Sequence, residues 1–135
     1  MYLDNGDVVL SPTDLTKHLA CPHLTTLDLQ AAHGTVQAPE QVDEALEIIF
    51  RMGLDHEAAF LDQLLAEGGN VVITDDKLDL ADRVNTTRDA MKAGADVIYQ
   101  ATFLDNGERG HADFLLRAER PSALGSWSYL SLIHI

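Results

Sequence analysis

The sequence predicts an α/β fold in which helices flank a short mixed sheet. Stretches whose apolar residues recur every three or four positions alternate with short strand-like runs. Asn-Gly pairs, which suit tight hairpin turns, stand between apolar runs at two places. With 135 residues, 46% of them hydrophobic, the chain is long enough for one domain with a buried core.

The N-terminal third predicts a small hairpin followed by two helices. The pair Asn5-Gly6 lies between two short apolar runs and predicts a hairpin turn. Ser11 as N-cap and Asp14 in the first turn mark a helix over residues 11–20. A second helix is predicted over residues 22–34, where a glycine ends it.

The middle of the chain predicts a long helix from Glu40 to about Glu67, a strand over residues 70–74 and a helix over residues 78–93. Apolar positions in the long helix step by three or four residues, so we expect them to form one inward stripe. Two unusual residues, Gly53 and His56, fall on that stripe. Its members are Val42, Leu46, Ile49, Gly53, His56, Phe60 and Leu64.

A second hairpin is predicted over residues 96–118, and its central stretch is Tyr99–Arg117. Two apolar runs flank Asn106-Gly107, and Asp113 lies inside the second of the two strands. A carboxylate buried in a strand needs a cation, a hydrogen-bond donor or water beside it.

Two interpretations of Asp113 follow from the residues alone. It is either an acid at a half-exposed strand edge, paired with Arg109, Arg117 or solvent, or a ligand of a divalent metal ion. Phosphoryl-transfer sites gather one or two carboxylates around Mg²⁺, so the second interpretation predicts a metal site on this hairpin.

His56 also has two interpretations. A histidine on the apolar face of a helix is commonly a core residue, but Gly53, three positions earlier, indicates that another element packs closely there. If the hairpin crosses the helix at Gly53, His56 and Asp113 approach a shared metal ion. Glu57 is one position round the helix, where we expect it to be solvated or to support a ligand.

Cys21 is the only cysteine, which excludes an internal disulfide. It is either a small core residue or, at the start of a helix, a thiol suited to metal or iron–sulfur ligation, and a cluster would need three more cysteines. A lone cysteine, no apolar run near 20 residues and an acidic N-terminus favour a cytoplasmic location without a membrane span.

The formal charge of −13 argues against a nucleic-acid grip formed by these residues alone, since such grips are basic. The sequence also has no phosphate-binding Gly-rich loop, no Cys-x-x-Cys pair and no nucleophilic serine elbow. Nucleotide-binding P-loop proteins and serine hydrolases are therefore disfavoured classes.

The last six residues, 130–135, read Leu-Ser-Leu-Ile-His-Ile and resemble the in-frame translation of a transposase mosaic-end sequencing adapter. We therefore expect residues 1–129 to be the natural part of the chain. A natural apolar strand end is the alternative. On the first interpretation, the strand that begins at Trp127 is cut short.

From Leu10 to Tyr129 the chain resembles the RecB-like nucleases of the PD-(D/E)XK superfamily, relatives of the CRISPR-associated iron–sulfur exonucleases. The order and spacing of several segments carry the resemblance. They are Ser11–Leu15, Ala20–Leu24, Gly53–Glu57, Ala95–Phe103, Gly110–Leu115 and Leu124–Tyr129.

The resemblance implies a restriction-endonuclease-like core that is incomplete at its C-terminus. It implies that His56 contacts a catalytic Mg²⁺ or Mn²⁺, that Asp113 is the first acidic ligand, and that Cys21 is the first of four ligands of a 4Fe-4S cluster. The second acid and the lysine of the signature would follow Tyr129, so the fragment alone is expected to be inactive.

These implications predict a fragment of a metal-dependent DNA nuclease that acts on DNA as part of a longer protein. Two alternatives stay open. The chain is a non-catalytic acidic interaction module, in which His56 and Asp113 are structural, or it is a degenerate nuclease domain attached to a helicase portion downstream.

Overall fold

The computed structural model describes residues 1–39 and 44–132. In these residues four helices accompany a two-stranded and a four-stranded mixed sheet, which confirms the α/β prediction. In chain order the elements are β1 (Tyr2–Asp4), β2 (Asp7–Val9), α1 (Pro12–Ala20), α2 (Pro22–Ala32), α3 (Glu44–Ala66), β3 (Val71–Ile73), α4 (Leu80–Ala93), β4 (Val97–Asp105), β5 (Glu108–Ala118) and β6 (Ser128–Leu132). The predicted helix start at Glu40 lies outside the described residues.

The four-stranded sheet has the order β3-β4-β5-β6. Strand β3 runs parallel to β4, with Val71 opposite Val97, and β6 runs antiparallel to β5. The predicted turn Asn106-Gly107 connects β4 to β5. Its φ angles of 48° and 79° are those of a tight hairpin turn. A two-residue connection joins antiparallel strands, so the predicted central hairpin is confirmed.

By its internal contacts the chain divides into two compact units. The first unit contains β1, β2, α1, α2 and the tip of the β4–β5 hairpin, residues 104–110. In this unit the backbone of Leu10 pairs with the tip: its N–H donates to Gly107 at 2.8 Å, and its carbonyl accepts from Arg109 at 2.7 Å. The guanidinium of Arg109 also lies 4.8 Å from the centre of the Tyr2 ring.

The start of α1 is fixed by the buried carboxylate of Asp14. It accepts hydrogen bonds from the backbone N–H and the hydroxyl of Ser11, each at 2.8 Å, and pairs with the N-terminal ammonium of Met1 at 2.7 Å. Burial alone would raise the pKa of Asp14, but the bonds from the ammonium and from Ser11 outweigh it and hold that pKa below 3.8. The predicted cap at Ser11 is confirmed.

The second unit contains α3, α4 and most of the four-stranded sheet. Its core lies between α4 and the sheet and is lined by small and aliphatic side chains. The buried members are Ala90, Ala95, Ile98, Ala101, Ala112 and Leu115. Helix α4 begins at an Asp79 N-cap and ends at Gly94, which has the left-handed conformation (φ 73°) of a C-cap.

The predicted adapter residues contribute to β6. Leu130 and Leu132 lie opposite Leu116 and Phe114 of β5, so this strand is paired as far as Leu132. Residues 133–135 lie outside the described part of the chain. The origin of residues 130–135 stays a prediction.

Candidate metal site

The half-buried face of the second half of α3 shares Phe60 and Leu64 with the predicted stripe, but it differs from that stripe at its other positions. The ring of Phe60 meets that of fully buried Phe114 edge-on, with centroids 5.0 Å apart. Gly53 and His56 are exposed, and a β-carbon at Gly53 would have no neighbouring heavy atom within 4 Å. The predicted inward stripe through Gly53 and His56 is therefore wrong. The half-buried residues are Glu57, Phe60, Leu61 and Leu64.

The physical reason is the phase of the helix. Steps of three and four residues allow two stripes through Phe60, one that includes His56 and one that includes Glu57. The contact of Phe60 with Phe114 selects the rotation in which Glu57 is half-buried. Ile49, which helped to set the predicted phase, is 62% exposed.

Asp113 lies inside β5, as predicted, between the buried residues Ala112 and Phe114, and is itself half-buried. The two arginines considered as its partners have other contacts. Arg109 lies over a tyrosine ring of the first unit, and Arg117 pairs with Glu119 at 3.1 Å.

Tyr99 of β4 lies beside the half-buried face of α3. Its ring is half-buried against Phe114, with centroids 5.0 Å apart. Burial raises the pKa of the Tyr99 phenol, Glu57 and the charge of Asp113 raise it further, and Gln100 partly opposes them. A carboxylate from α3 and a carboxylate from β5 therefore both raise the pKa of one tyrosine hydroxyl.

Gln100, the next residue, also contacts Glu57, because its side-chain amide donates a hydrogen bond to a Glu57 carboxylate oxygen. Its φ angle is +56°, a left-handed conformation inside a strand. Such a conformation costs a residue other than glycine about 1–2 kcal/mol. Strain of this kind persists where surrounding contacts fix it, and it is common at functional sites.

The donors in this region suit a hard divalent cation. Glu57 and Asp113 offer carboxylate oxygens, and Mg²⁺ is commonly bound by one or two carboxylates together with water and substrate phosphates. Among residues 1–39 and 44–132, no group of three or more His, Cys, Asp or Glu side chains is placed to hold a metal ion.

Cys21 lies where it was predicted, at the N-cap of α2 in the first unit, and is exposed with a free thiol. A 4Fe-4S cluster needs four thiolates, so this chain does not fit such a cluster by itself. The carboxylates Glu57 and Asp113 belong to the second unit.

Sequence reasoning missed three members of the site, namely Glu57 as an inward acid, Gln100 as its hydrogen-bond donor and Tyr99 beside Gln100. A usable signal existed for Glu57, because it precedes Phe60 by three residues and Leu61 by four. No local pattern indicated that Gln100 would adopt a left-handed conformation.

The comparisons with known proteins found no match: no family model, no curated protein and no solved structure is similar to this chain. None of the described helices has both the length and the apolar character that crossing a membrane requires.

Proposed function

We propose that this chain provides two metal-binding carboxylates of a Mg²⁺- or Mn²⁺-dependent DNA nuclease with a RecB-like, restriction-endonuclease-like core. The observation that carries the proposal is the packing of Phe114, which follows Asp113 on β5, against Phe60 of α3 and Tyr99 of β4, because it brings the strand of Asp113 to the helix of Glu57. The charges of both acids also raise the pKa of the Tyr99 phenol. Two acids on different elements around one half-buried group are typical of phosphoryl-transfer sites.

In this proposal the chain's own residues bind and orient. Glu57 and Asp113 would hold the cation, while Gln100 holds the Glu57 carboxylate by a hydrogen bond. When bound, the divalent cation polarises the phosphodiester and lowers the pKa of a bound water. The described strand β6 contains no acid and no lysine. Hydrolysis would therefore need the acid and the lysine that complete the nuclease signature from another segment.

The proposal assigns the helix ligand to Glu57 because this residue is half-buried and hydrogen-bonded within the site. His56, which the resemblance favours, is exposed one residue away. Comparing Glu57→Gln with His56→Ala decides between the two residues. We expect only the first variant to weaken metal binding.

Titration of the 135-residue chain with Mn²⁺, followed through the electron paramagnetic resonance signal of the free ion, tests the proposal. We expect Asp113→Asn and Glu57→Gln each to weaken binding by about tenfold or more, because each removes a charged ligand. Asp89→Asn is the matched control, since Asp89 is an exposed acid on α4 and its loss changes the net charge equally.

Equal loss of Mn²⁺ binding in Asp113→Asn and Asp89→Asn would mean that the ion responds only to net charge, and the metal-site proposal would fail. A non-catalytic acidic module would then describe the chain better. We also expect no cleavage of DNA by the chain alone with Mg²⁺ or Mn²⁺. Cleavage that Asp113→Ala abolishes would show that these residues already form a complete site.

A further inference from the structure

Two consecutive residues of β4 both reach towards α3. The side-chain amide of Gln100 donates to Glu57 of α3. The ring of Tyr99 packs against Phe114, which itself meets Phe60 of α3. Neighbouring residues of a regular strand place their side chains on opposite faces of the sheet. Regular strand geometry therefore does not allow this pair of contacts.

The left-handed conformation of Gln100 removes the conflict. Its φ of +56° interrupts the alternation inside β4, so that both side chains lie on the α3 side of the strand. Of the three residues other than glycine with positive φ in the described chain, Asn5 and Asn106 occupy hairpin turns, and asparagine tolerates this conformation well. Glutamine inside a strand has no such turn to explain it.

The unusual conformation is held from the other side by two buried threonines. The hydroxyl of Thr102 donates to the carbonyl of Gln100 at 3.3 Å, and the N–H of Thr102 donates to the hydroxyl of Thr87 on α4 at 2.9 Å. Thr87 is 1% exposed and Thr102 is fully buried. Helix α4 thus fixes the backbone at Gln100, and Gln100 in turn fixes Glu57.

We propose that Gln100 is a positioning residue whose left-handed conformation orients the Glu57 carboxylate beside Asp113 for a divalent cation. This inference rests on the proposed metal site. Gln100 itself binds no metal in this arrangement. Its effect on metal affinity is exerted through the hydrogen bond that it donates to Glu57.

Two variants separate the hydrogen bond from backbone strain. Gln100→Gly accepts a positive φ without steric cost but loses the amide. Gln100→Asn keeps an amide and tolerates the left-handed conformation, but its side chain is one methylene shorter. We expect both to unfold at nearly the wild-type urea concentration and to bind Mn²⁺ about 10- to 100-fold more weakly, the usual effect of losing a group that orients a ligand.

The matched control is Gln63→Asn. Gln63 also donates to a glutamate, Glu67, at 3.1 Å, but this pair is exposed on α3. We expect its Mn²⁺ affinity to equal that of the wild type. A similar loss in Gln63→Asn would overturn the inference, because the effect would then not be specific to Gln100.

The inference and the proposed function fail in different ways. If Asp113→Asn and Glu57→Gln lose Mn²⁺ binding while both Gln100 variants bind as the wild type does, Gln100 is not a positioning residue and the metal site remains. If Asp113→Asn and Glu57→Gln also bind normally, the metal site is absent and the inference fails with it.

Discussion

The indole N–H of Trp127 donates a hydrogen bond to the backbone carbonyl of Met91 at 3.0 Å. The same end of α4 receives two more side-chain donors. Arg117 donates to the carbonyl of Gly94 at 3.1 Å, and the hydroxyl of Tyr129 donates to the carbonyl of Ala95 at 2.7 Å. These side chains therefore join the last turn of α4 and the two residues after it to β5 and to the start of β6.

Trp127→Phe should lower the free energy of unfolding by about 1–3 kcal/mol. The change removes one hydrogen bond and reduces packing. It also weakens the cation–π contact of the Arg117 guanidinium, which in the wild type lies 5.1 Å from the centre of the indole ring. Urea unfolding measures the loss. Far-UV circular dichroism is the suitable signal, because Trp127 is the only tryptophan and its fluorescence disappears with it.

Tyr129→Phe is the matched control for this cluster. It removes only the hydroxyl that donates to Ala95 and should cost about 1 kcal/mol. A Trp127→Phe chain as stable as the wild type would mean that the end of α4 does not depend on β5 and β6.

The elements that sequence reasoning located are those with local signals. Ser11, Gly94 and the pair Asn106-Gly107 each end or begin an element through their own backbone preferences, and all three occur where expected. The hydrogen bonds of Leu10 with Gly107 and Arg109 could not be predicted in this way. They join residues that are distant in sequence, and no short sequence pattern indicates that these residues meet.

Only the part of the candidate site that has a local sequence signal could be predicted. Asp113 was identified because an acid inside an apolar strand is unusual, and it lies where expected. The choice between His56 and Glu57 depended on the rotation of α3. That rotation is set by the contact of Phe60 with Phe114. The spacing of apolar residues along the helix does not reveal this contact.

Acid should destabilise the first unit through Asp14. Its pKa is lowered in the folded chain, and an unfolded aspartate titrates near pH 3.9. The stabilisation is therefore complete above about pH 4 and is lost as the pH falls through the lower, folded pKa. Urea unfolding at a series of pH values between about 6 and 2 measures this decline.

Asp14→Asn provides the comparison. It should lower the free energy of unfolding at pH 7 by about 1.5–3 kcal/mol, because hydrogen bonds to a charged, buried carboxylate are lost. The difference from the wild type should shrink towards low pH. A difference that is constant across this range would contradict a charged role for Asp14.

The buried threonine pair predicts a specific loss. Thr87→Val keeps the shape of the side chain but removes the oxygen that accepts from the N–H of Thr102. A fully buried amide without a partner costs about 1–3 kcal/mol. Thr86→Val, a change at a half-buried neighbour, should alter the free energy of unfolding by less than half as much. Equal effects would mean that this hydrogen bond contributes nothing specific.

Replacing two glycines by alanine should change the free energy of unfolding in opposite directions. Gly94 has a φ of +73° at the end of α4, and a β-carbon there would lie 3.4 Å from atoms of Arg117 and Trp127. Gly94→Ala should therefore cost about 1 kcal/mol or more. Gly53 is exposed within α3 with open space around it, so Gly53→Ala should raise the free energy of unfolding by about 0.5–1 kcal/mol.

This pair of variants also tests the corrected orientation of α3. Close packing of another element at Gly53, as the sequence suggested, would leave no room for a methyl group and would make Gly53→Ala destabilising. The exposed position makes it stabilising, because alanine favours the helix and restricts the unfolded chain. Urea unfolding gives the sign directly, and a destabilised Gly53→Ala chain would restore His56 to the inward face in place of Glu57.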